Sequence, residues 1–544
     1  MNFKNFLTSF KNKHNFSIVD NNYISENNSN TPLINTSSNS DTAPQDVSNK
    51  LSDNLLYMQT MYNSLINSDV KIREFSFKLN RTSYNAFIIF FDGMTNSTLV
   101  NNFLLKPLMN ENKSMAHYEN SSLEDYIFDC LIPQNSINKV NNFSEIASSI
   151  NSGNCILFVD TISAAFDIDV KGFQQRSVTT PVSEMVIKGP QEAFVENIRV
   201  NTSLIRRLAN TENLIIENIT IGNISKTKCG LCYFQNIANG DLVSEVKYRL
   251  NNLDIDSLIS TGQLEQLIEE SGMYGIPQIV STERPDKCVK FLYEGRVVIL
   301  VNGNPYALIL PATFTDFLTS AEDTNLRPSF TNFLRMLRLF GFIVTLLLPG
   351  MYIAITSFHQ EFLPTELLFT IMGSRESVPF PIIFELLLLE ISFEIIREAG
   401  VRVPSPIGST ISIVGGLIIG ESAVSANLVS PILVIIVAVT AIASFAIPDF
   451  SFGFHLRILR FVFILLGFVA GFLGIGIGIF VYLSILCNMK SFGVPLTSPF
   501  APSSVATNVG YVVPPTWKQD NRSSFVSPQK PRSQSRIAKK WEKS

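Results

Sequence analysis

Lysine is missing from the middle of this chain. Between residues 333 and 487 the 544-residue sequence holds none, beside only 7 Arg and 9 Asp or Glu. Charge is scarce throughout, at 16% against 46% hydrophobic residues, with 42 basic and 46 acidic side chains for a net −4. A protein that grips a nucleic-acid backbone needs many Lys and Arg, so that partner is excluded, and the chain is too apolar to be disordered as a whole. Histidine occurs only at His14, His117, His359 and His455, which offers no paired metal ligands. The six cysteines, Cys130, Cys155, Cys229, Cys232, Cys288 and Cys487, are too sparse for a disulfide framework and are expected to be reduced thiols. The lone Cys229-Gly230-Leu231-Cys232 has no second ligand pair for zinc. On a strand its sulfurs would point to opposite faces, so core packing is its expected role. No Ser-His-Asp order or phosphate loop is present, and the sequence is read as that of a non-enzyme without catalytic, cofactor-binding or metal-binding residues. Met1 to Asp20 lacks the apolar core of a cleavable signal peptide, which predicts that the front of the chain stays on the side where it is made.

What charge there is falls in three zones. Residues 1–332 carry about net −9, the middle is nearly uncharged, and residues 488–544 hold 9 basic and 2 acidic side chains, net +7. The runs 339–360, 403–420, 422–448 and 461–489 contain no Asp, Glu, Lys or Arg, and a bilayer core needs about 20 mostly apolar residues per helix. Spans are expected near 336–357, 378–397, 427–447 and 458–486, with 407–421 as a short broken or re-entrant segment and a five-span alternative open. The basic pair Arg335 and Arg338 and the tail after Lys490 place both ends on the cytoplasmic side. Arg457 and Arg460 then fall on the outer side, against the same rule.

The expected fold is multi-domain: two small α/β or α+β cytoplasmic subdomains followed by an α-helical transmembrane domain of about 4–5 spans. Residues 1–70 read as a flexible Asn/Ser-rich arm, although Leu51, Leu55, Leu56, Tyr62 and Leu65 could line a helix face. Subdomain 1 is assigned to 71–185, with strands at Ala86–Phe91 and Cys155–Val159 and a helix between Thr95 and Leu108. Subdomain 2 is assigned to 186–325. Its expected elements are helices at Gln191–Leu208, Leu242–Leu250 and Ile255–Ile268, strands at Leu214–Ile221 and Cys229–Ile237, and a strand-turn-strand from Arg296 to Leu310. The transmembrane domain takes 326–490 and a basic, disordered cytoplasmic tail 491–544. No internal repeat is evident.

Four intramembrane acids stand out. Glu385, Glu390 and Glu394 fall within an Ile/Leu/Phe stretch, and Glu421 closes Gly415-Gly416-Leu417-Ile418-Ile419-Gly420. A carboxylate in hydrocarbon is costly and usually faces a protein interior, a partner or a water-filled path. Glu390 and Glu394 share a helix face while Glu385 lies well round from both, so one continuous stripe is doubtful. All four are candidates for an ion path. The competing reading is structural pairing, such as Glu394 with Arg397 or Glu398 with Arg402. Pro349-Gly350 should kink the first span, and Gly467, Gly471, Gly474, Gly476 and Gly478 include spacings that let helices approach closely.

Three blocks carry a resemblance. They are Gly189-Pro190-Gln191-Glu192-Ala193-Phe194-Val195-Glu196-Asn197 with Leu204-Ile205-Arg206-Arg207; Thr282-Glu283-Arg284-Pro285-Asp286 with Glu294-Gly295-Arg296; and Arg397-Glu398-Ala399-Gly400-Val401-Arg402-Val403-Pro404 with Ser412-Ile413-Val414-Gly415-Gly416. With Phe358-His359-Gln360-Glu361 and Ser374-Arg375-Glu376, they resemble the A subunit of the GerA-type spore germinant receptors over roughly residues 75–495. The resemblance implies a protein of the spore inner membrane, homo-oligomeric, with a transporter-like B subunit and a lipoprotein C subunit. Such receptors sense nutrients and trigger release of monovalent cations and then dipicolinate. Arg206, Arg207, Glu283, Arg284, Asp286, His359, Arg375, Glu376, Arg397 and Arg402 are the motif residues to which it assigns structural or coupling roles. The chain departs from the pattern at Glu421, where a neutral amide is common, and at Thr324 and Asn325, which replace an acidic-aromatic pair.

The leading expectation is therefore a receptor subunit whose oligomer gates cation release, with membrane lipid as a further partner. An ion-coupled transporter and a non-conducting scaffold of the germination or dipicolinate-release machinery are the alternatives.

Overall fold

The computed structural model describes residues 46–79, 82–110, 122–172, 181, 183–270, 272–402, 416, 420–504, 510 and 512–534. Most of the expected arm, and most of the segment 407–421, lie outside the described residues. Within them the chain forms two globular α/β units, a helical bundle, and a C-terminal strap that returns to the second unit.

The first unit begins before residue 71. Helix α1 (Leu51–Met61) packs Met58 into the core with Val47 and Tyr62. Five antiparallel strands follow, β1 (Val70–Leu79), β2 (Thr82–Phe91), β3 (Ile137–Val140), β4 (Cys155–Val159) and β5 (Ala165–Ile168), in the spatial order β1-β2-β4-β5-β3. Helical turns at 97–109 and 123–131 lie between β2 and β3, and α2 (Phe143–Asn151) between β3 and β4. Strand β2 reads as an unbroken apolar run because both of its faces are covered. Ala86 and Ile88 enter one core, and Phe87, Ile89 and Phe91 the other.

The second unit repeats this topology. It comprises α3 (Ile198–Leu208), β6 (Leu214–Ile221), β7 (Thr227–Phe234), α4 (Gly240–Asn251), α5 (Thr261–Ile268), β8 (Val280–Thr282), α6 (Pro285–Tyr293), β9 (Val297–Val301) and β10 (Ala307–Leu310), with sheet order β6-β7-β9-β10-β8, all antiparallel. Element for element this is the order of the first unit, so the chain contains an internal duplication that sequence periodicity does not show. Gly153 and Gly295 mark equivalent turns between helix and central strand, at φ +97° and +92°, where a side chain would be strained. Helix α3 is shorter than the expected 191–208. Asn197 caps it through the Arg199 amide, while Phe194 N–H donates to the Glu283 carbonyl and Val195 N–H to Asn201 Oδ1, which draws 191–197 out as extended chain. Cys229 and Cys232 on β7 enter opposite cores, and burial pushes both thiols up to about 12.

The bundle consists of α7 (Pro328–Phe358), α8 (Thr365–Arg375), α9 (Ile382–Arg402), α10 (Pro431–Phe445) and α11 (Phe450–Asn488). Among the described residues two helices, α7 and α11, are long and apolar enough to cross a membrane. Proline at the first helical position starts both α7 and α10, and α7 continues through Pro349. Helix α11 is not straight. Ala470 and Gly471 leave helical geometry, Gly471 at φ +57°, and the chain reverses there. The rings of His455 and Tyr482, which a straight helix would hold about 40 Å apart, lie 6.0 Å from each other. Limbs 450–469 and 472–488 thus form an antiparallel hairpin. The reversal places Arg457 in the half of the bundle nearer Arg335, Arg338 and Lys490, and Arg460 near the middle of the first limb, one turn before Phe463, which meets Gly350.

Directions follow from contacts. Helix α7 and the first limb of α11 run parallel, with Phe342 beside Phe452 at one end and His359 beside Phe472 at the other. Between these ends Gly350 and Gly467 meet, and a Cβ on either would come within 3.0 Å of the other helix's backbone. Helices α9 and α10 also share a direction, since Glu385 accepts from the Ser430 amide at 3.2 Å and Arg397 donates to Ser444 Oγ at 2.8 Å.

After α11 the chain turns through a short hairpin, β11 (Lys490–Ser491) and β12 (Val494–Pro495). Phe492, Val494, Phe525 and Val526 are buried in the core of the second unit. The described part of the basic tail is therefore an ordered strap, fastened by Ser491 Oγ to the Gln278 carbonyl and by Arg522 Nε to the Tyr293 carbonyl.

Candidate functional site

The functional geometry lies where the second unit meets the bundle. One hydrophobic core contains Phe234, Leu292, Val298 and Phe317 from the unit together with Phe452, Leu456, Tyr482 and Leu486 from α11. Phe314 sits edge-on to both Phe342 and Phe452, at 5.6 and 5.4 Å. Polar bonds reinforce the joint. Asp323, fully buried, accepts from Arg335 at 3.0 Å and from Arg338 at 2.8 and 2.9 Å, fixing the first turns of α7. Arg296, also fully buried, is bidentate to Asp316 at 2.6 and 3.1 Å and holds the Pro311 carbonyl. Buried bidentate pairs of this kind are geometrically specific, and losing one partner leaves an uncompensated charge. Asp323 with Arg335 and Arg338 were not singled out by sequence reasoning as a unit. Their signal was ionic residues flanking an apolar run.

The motif residues of the globular part are all structural ties. Arg206 joins the two units: it is bidentate to Asp69 at 2.7 and 3.0 Å, donates to the Leu214 carbonyl, and lies over the Phe91 ring at 4.0 Å. Burial raises the Asp69 carboxyl above its usual range even against the opposing pull of Arg206. Arg207 pairs with Glu192. Glu283 accepts from Ser183 N–H, Ser183 Oγ and Glu184 N–H. Arg284 is bidentate to Asp286 and holds the Glu184 and Pro190 carbonyls. The Thr282–Asp286 block thus ties the connection between the units to α6.

In the bundle the expected acids separate. Glu390 and Glu394 belong to one ionic cluster with Arg397, Arg457 and Arg460. Arg460 reaches Glu390 at 2.8 Å and Glu394 at 3.0 Å, Arg457 reaches Glu394 at 3.1 Å, and Arg397 stands 3.6 Å from it. Glu385, round the helix, pairs with Arg375 at 3.2 Å. Glu421 is exposed and apart from these, near the far end of the bundle, on helical turn 420–425 whose Ala423 and Val424 pack on the Ile382–Leu433 cluster. His359 rests on Phe472 and Gly471 at the far end, Glu376 is exposed, and the Arg402 side chain lies outside the described residues. Among the described residues no group of His, Cys, Asp or Glu is placed to hold a metal ion.

Two α/β units of one topology, the second sharing a core with membrane-length helices, and a strap returning from the last helix define a membrane-associated protein whose second unit is built into its bundle. Residues 57–525 match the family described as Bacillus/Clostridium GerA spore germination protein, and the chain belongs to that family. Relatives include spore germination protein KA of Bacillus subtilis, 38% identical over 85% of this chain and 84% of that protein. Spore germination protein B1 of the same organism is 40% identical over 78% and 87%, and spore germination protein GerLA of Bacillus cereus 37% over 80% and 87%. Among solved structures, the N-terminal domain of the A subunit of the Bacillus megaterium spore germinant receptor GerK3 matches at 31% identity and TM-score 0.37, covering 50% of this chain and 99% of that one.

Proposed function

We propose that this protein is an A-type subunit of a nutrient-sensing receptor in the spore inner membrane, which oligomerises and, with a transporter-like B subunit and a lipoprotein C subunit, gates the cation release that starts germination. It acts as a conformational coupler and not as an enzyme. The observation that supports this reading best is the shared core at the junction, clamped by Asp323 on Arg335 and Arg338. A partner that favours one arrangement of the globular units biases the bundle by its differential affinity for the two states. Arg335, Arg338, Arg397 and Lys490 lie toward the end of the bundle that faces the globular units, with Arg457 and Arg460 deeper in it, and the positive-inside rule favours that end as the cytoplasmic one. Helix α9, helix α10 and each limb of α11 supply passes beyond α7, the limbs being long enough at about 25–30 Å.

The ion path in this reading is not lined by free carboxylates at Glu385, Glu390 and Glu394, because arginines of the same chain neutralise them. Glu421 remains the exposed acid. That pairing also favours a second reading, a non-conducting scaffold. Cation flux into liposomes containing the full chain, alone and with its partner subunits, separates the two: flux lost in Glu421→Gln supports conduction, and none from folded, oligomeric protein under any partner condition supports the scaffold.

A further inference from the structure

A cavity of about 170 Å³ lies between α6 and the segment 319–325 that leads into α7. Pro190, Lys287, Lys290, Thr319, Thr324 and Asn325 are among its lining residues. Lysine ammonium groups in such sites ordinarily have a carboxylate, and Lys287 has Glu184 at 2.7 Å. Lys290 does not: among the described residues no hydrogen bond or ion pair reaches its ammonium. Of the surrounding acids, Glu294, one turn further along the chain, lends countercharge to Lys290 without a hydrogen bond to its ammonium, and the others are already taken. Asp286, which also faces the cavity, has both oxygens on Arg284; Asp316 is bidentate to Arg296; Asp323 holds Arg335 and Arg338. A second donor at the cavity is also unsatisfied, since Asn325 Nδ2 is buried without an acceptor.

We infer that this cavity is a binding site for a small oxyanion, a carboxylate or a phosphate, held by Lys290 and Asn325. An ammonium and an amide N–H both donate, so the occupant must accept, and a buried donor left without an acceptor is destabilising. A bound anion also adds to the countercharge that Glu294 lends Lys290 and supplies the acceptor that Glu294 does not. Burial holds the Lys290 amine below its ordinary range, and a bound anion would reverse that shift. The volume is well under the roughly 300–1,000 Å³ of pockets for drug-sized ligands, which restricts the site to a small ion or the head of a larger molecule. Neither a cation nor an apolar ligand fits an ammonium and an amide N–H that both lack an acceptor. The site is independent of whether the bundle conducts.

The test is calorimetric titration of the full-length protein, in phosphatidylcholine nanodiscs, with inorganic phosphate and with acetate. Saturable one-to-one binding of at least one anion is expected. It should weaken at least tenfold in Lys290→Met, and equally in Thr324→Tyr, which fills the cavity while leaving Lys290 in place. Melting temperatures without anion, compared with the parent, show that both variants are folded. No saturable binding of either anion, or parental affinity in both variants, overturns the site. Repeating the phosphate titration in phosphatidylglycerol discs separates the two sources of the anion. Weakened apparent affinity identifies a lipid headgroup as competitor, unchanged affinity a free anion, and both support the site.

Discussion

Arg206 shows how a residue type can be read from sequence while its task cannot. Its block was visible, but its partner Asp69 lies 137 positions earlier, across the boundary between the two units. Replacing Arg206 by Met leaves Asp69 buried without its countercharge, and removing one member of such a pair costs roughly 3–5 kcal/mol. Arg206→Met should therefore lower the melting temperature and open the 183–190 connection to protease before the bundle unfolds; limited proteolysis followed by mass spectrometry checks this. Glu265, on α5, gives a pH dependence of fixed sign. Burial, with Glu269 and Asp449 adding to it, pushes its carboxyl up to about 8 from an ordinary 4.5. The folded state then keeps a proton that the unfolded state releases, so stability falls as pH rises from about 4.5 to about 8 and levels off above. Thermal melts of Glu265→Gln across that window should show a flatter decline than the parent.

At the scale of elements, strands were legible where burial on both faces leaves a continuous apolar run, as for Cys155–Val159 and Arg296–Leu310, but not at β5, equally buried, whose four residues are interrupted by Asp167. Helix α11 was not legible as a hairpin. Its apolar run is uniform through Ala470 and Gly471, and hydropathy carries no information about direction. The glycines around the reversal were read as helix-packing positions, and Gly467 does serve so against Gly350, while Gly471 instead makes the turn. Gly467→Leu inserts a side chain where the facing backbone already lies within 3.0 Å of a Cβ. It should lower the melting temperature of the detergent-solubilised protein by several degrees, whereas Gly476→Leu, with nothing near its Cβ, should leave it unchanged. The tail was misjudged for a related reason. Phe492, Val494, Phe525 and Val526 are few and separated among Ser, Pro and basic residues, and composition weighs their number rather than the core they enter.

For the whole molecule, the division into an acidic front, an apolar middle and a basic end was written in the charge distribution. The duplication was not, because two units can share a topology through apolar pattern alone, with different residues at corresponding places, such as Asn154 and Arg296 after the two turn glycines. The pairing of the bundle's acids was legible in part: Glu394 with Arg397 was the competing reading and is found at 3.6 Å, whereas Arg457 and Arg460 come from a distant segment and required the hairpin to arrive. What emerges is a second unit and a bundle that share one core, joined at the entry to α7 by Asp323 and at the exit from α11 by the strap. The most direct measurement of the proposed function is cation flux in liposomes containing the full chain with the proposed B- and C-type subunits, triggered by nutrient, for the parent and for Asp323→Asn shown to be folded and assembled. Triggered flux reduced at least tenfold in Asp323→Asn, with assembly intact, is the result predicted if the junction transmits the signal. Parental flux in that variant would contradict it.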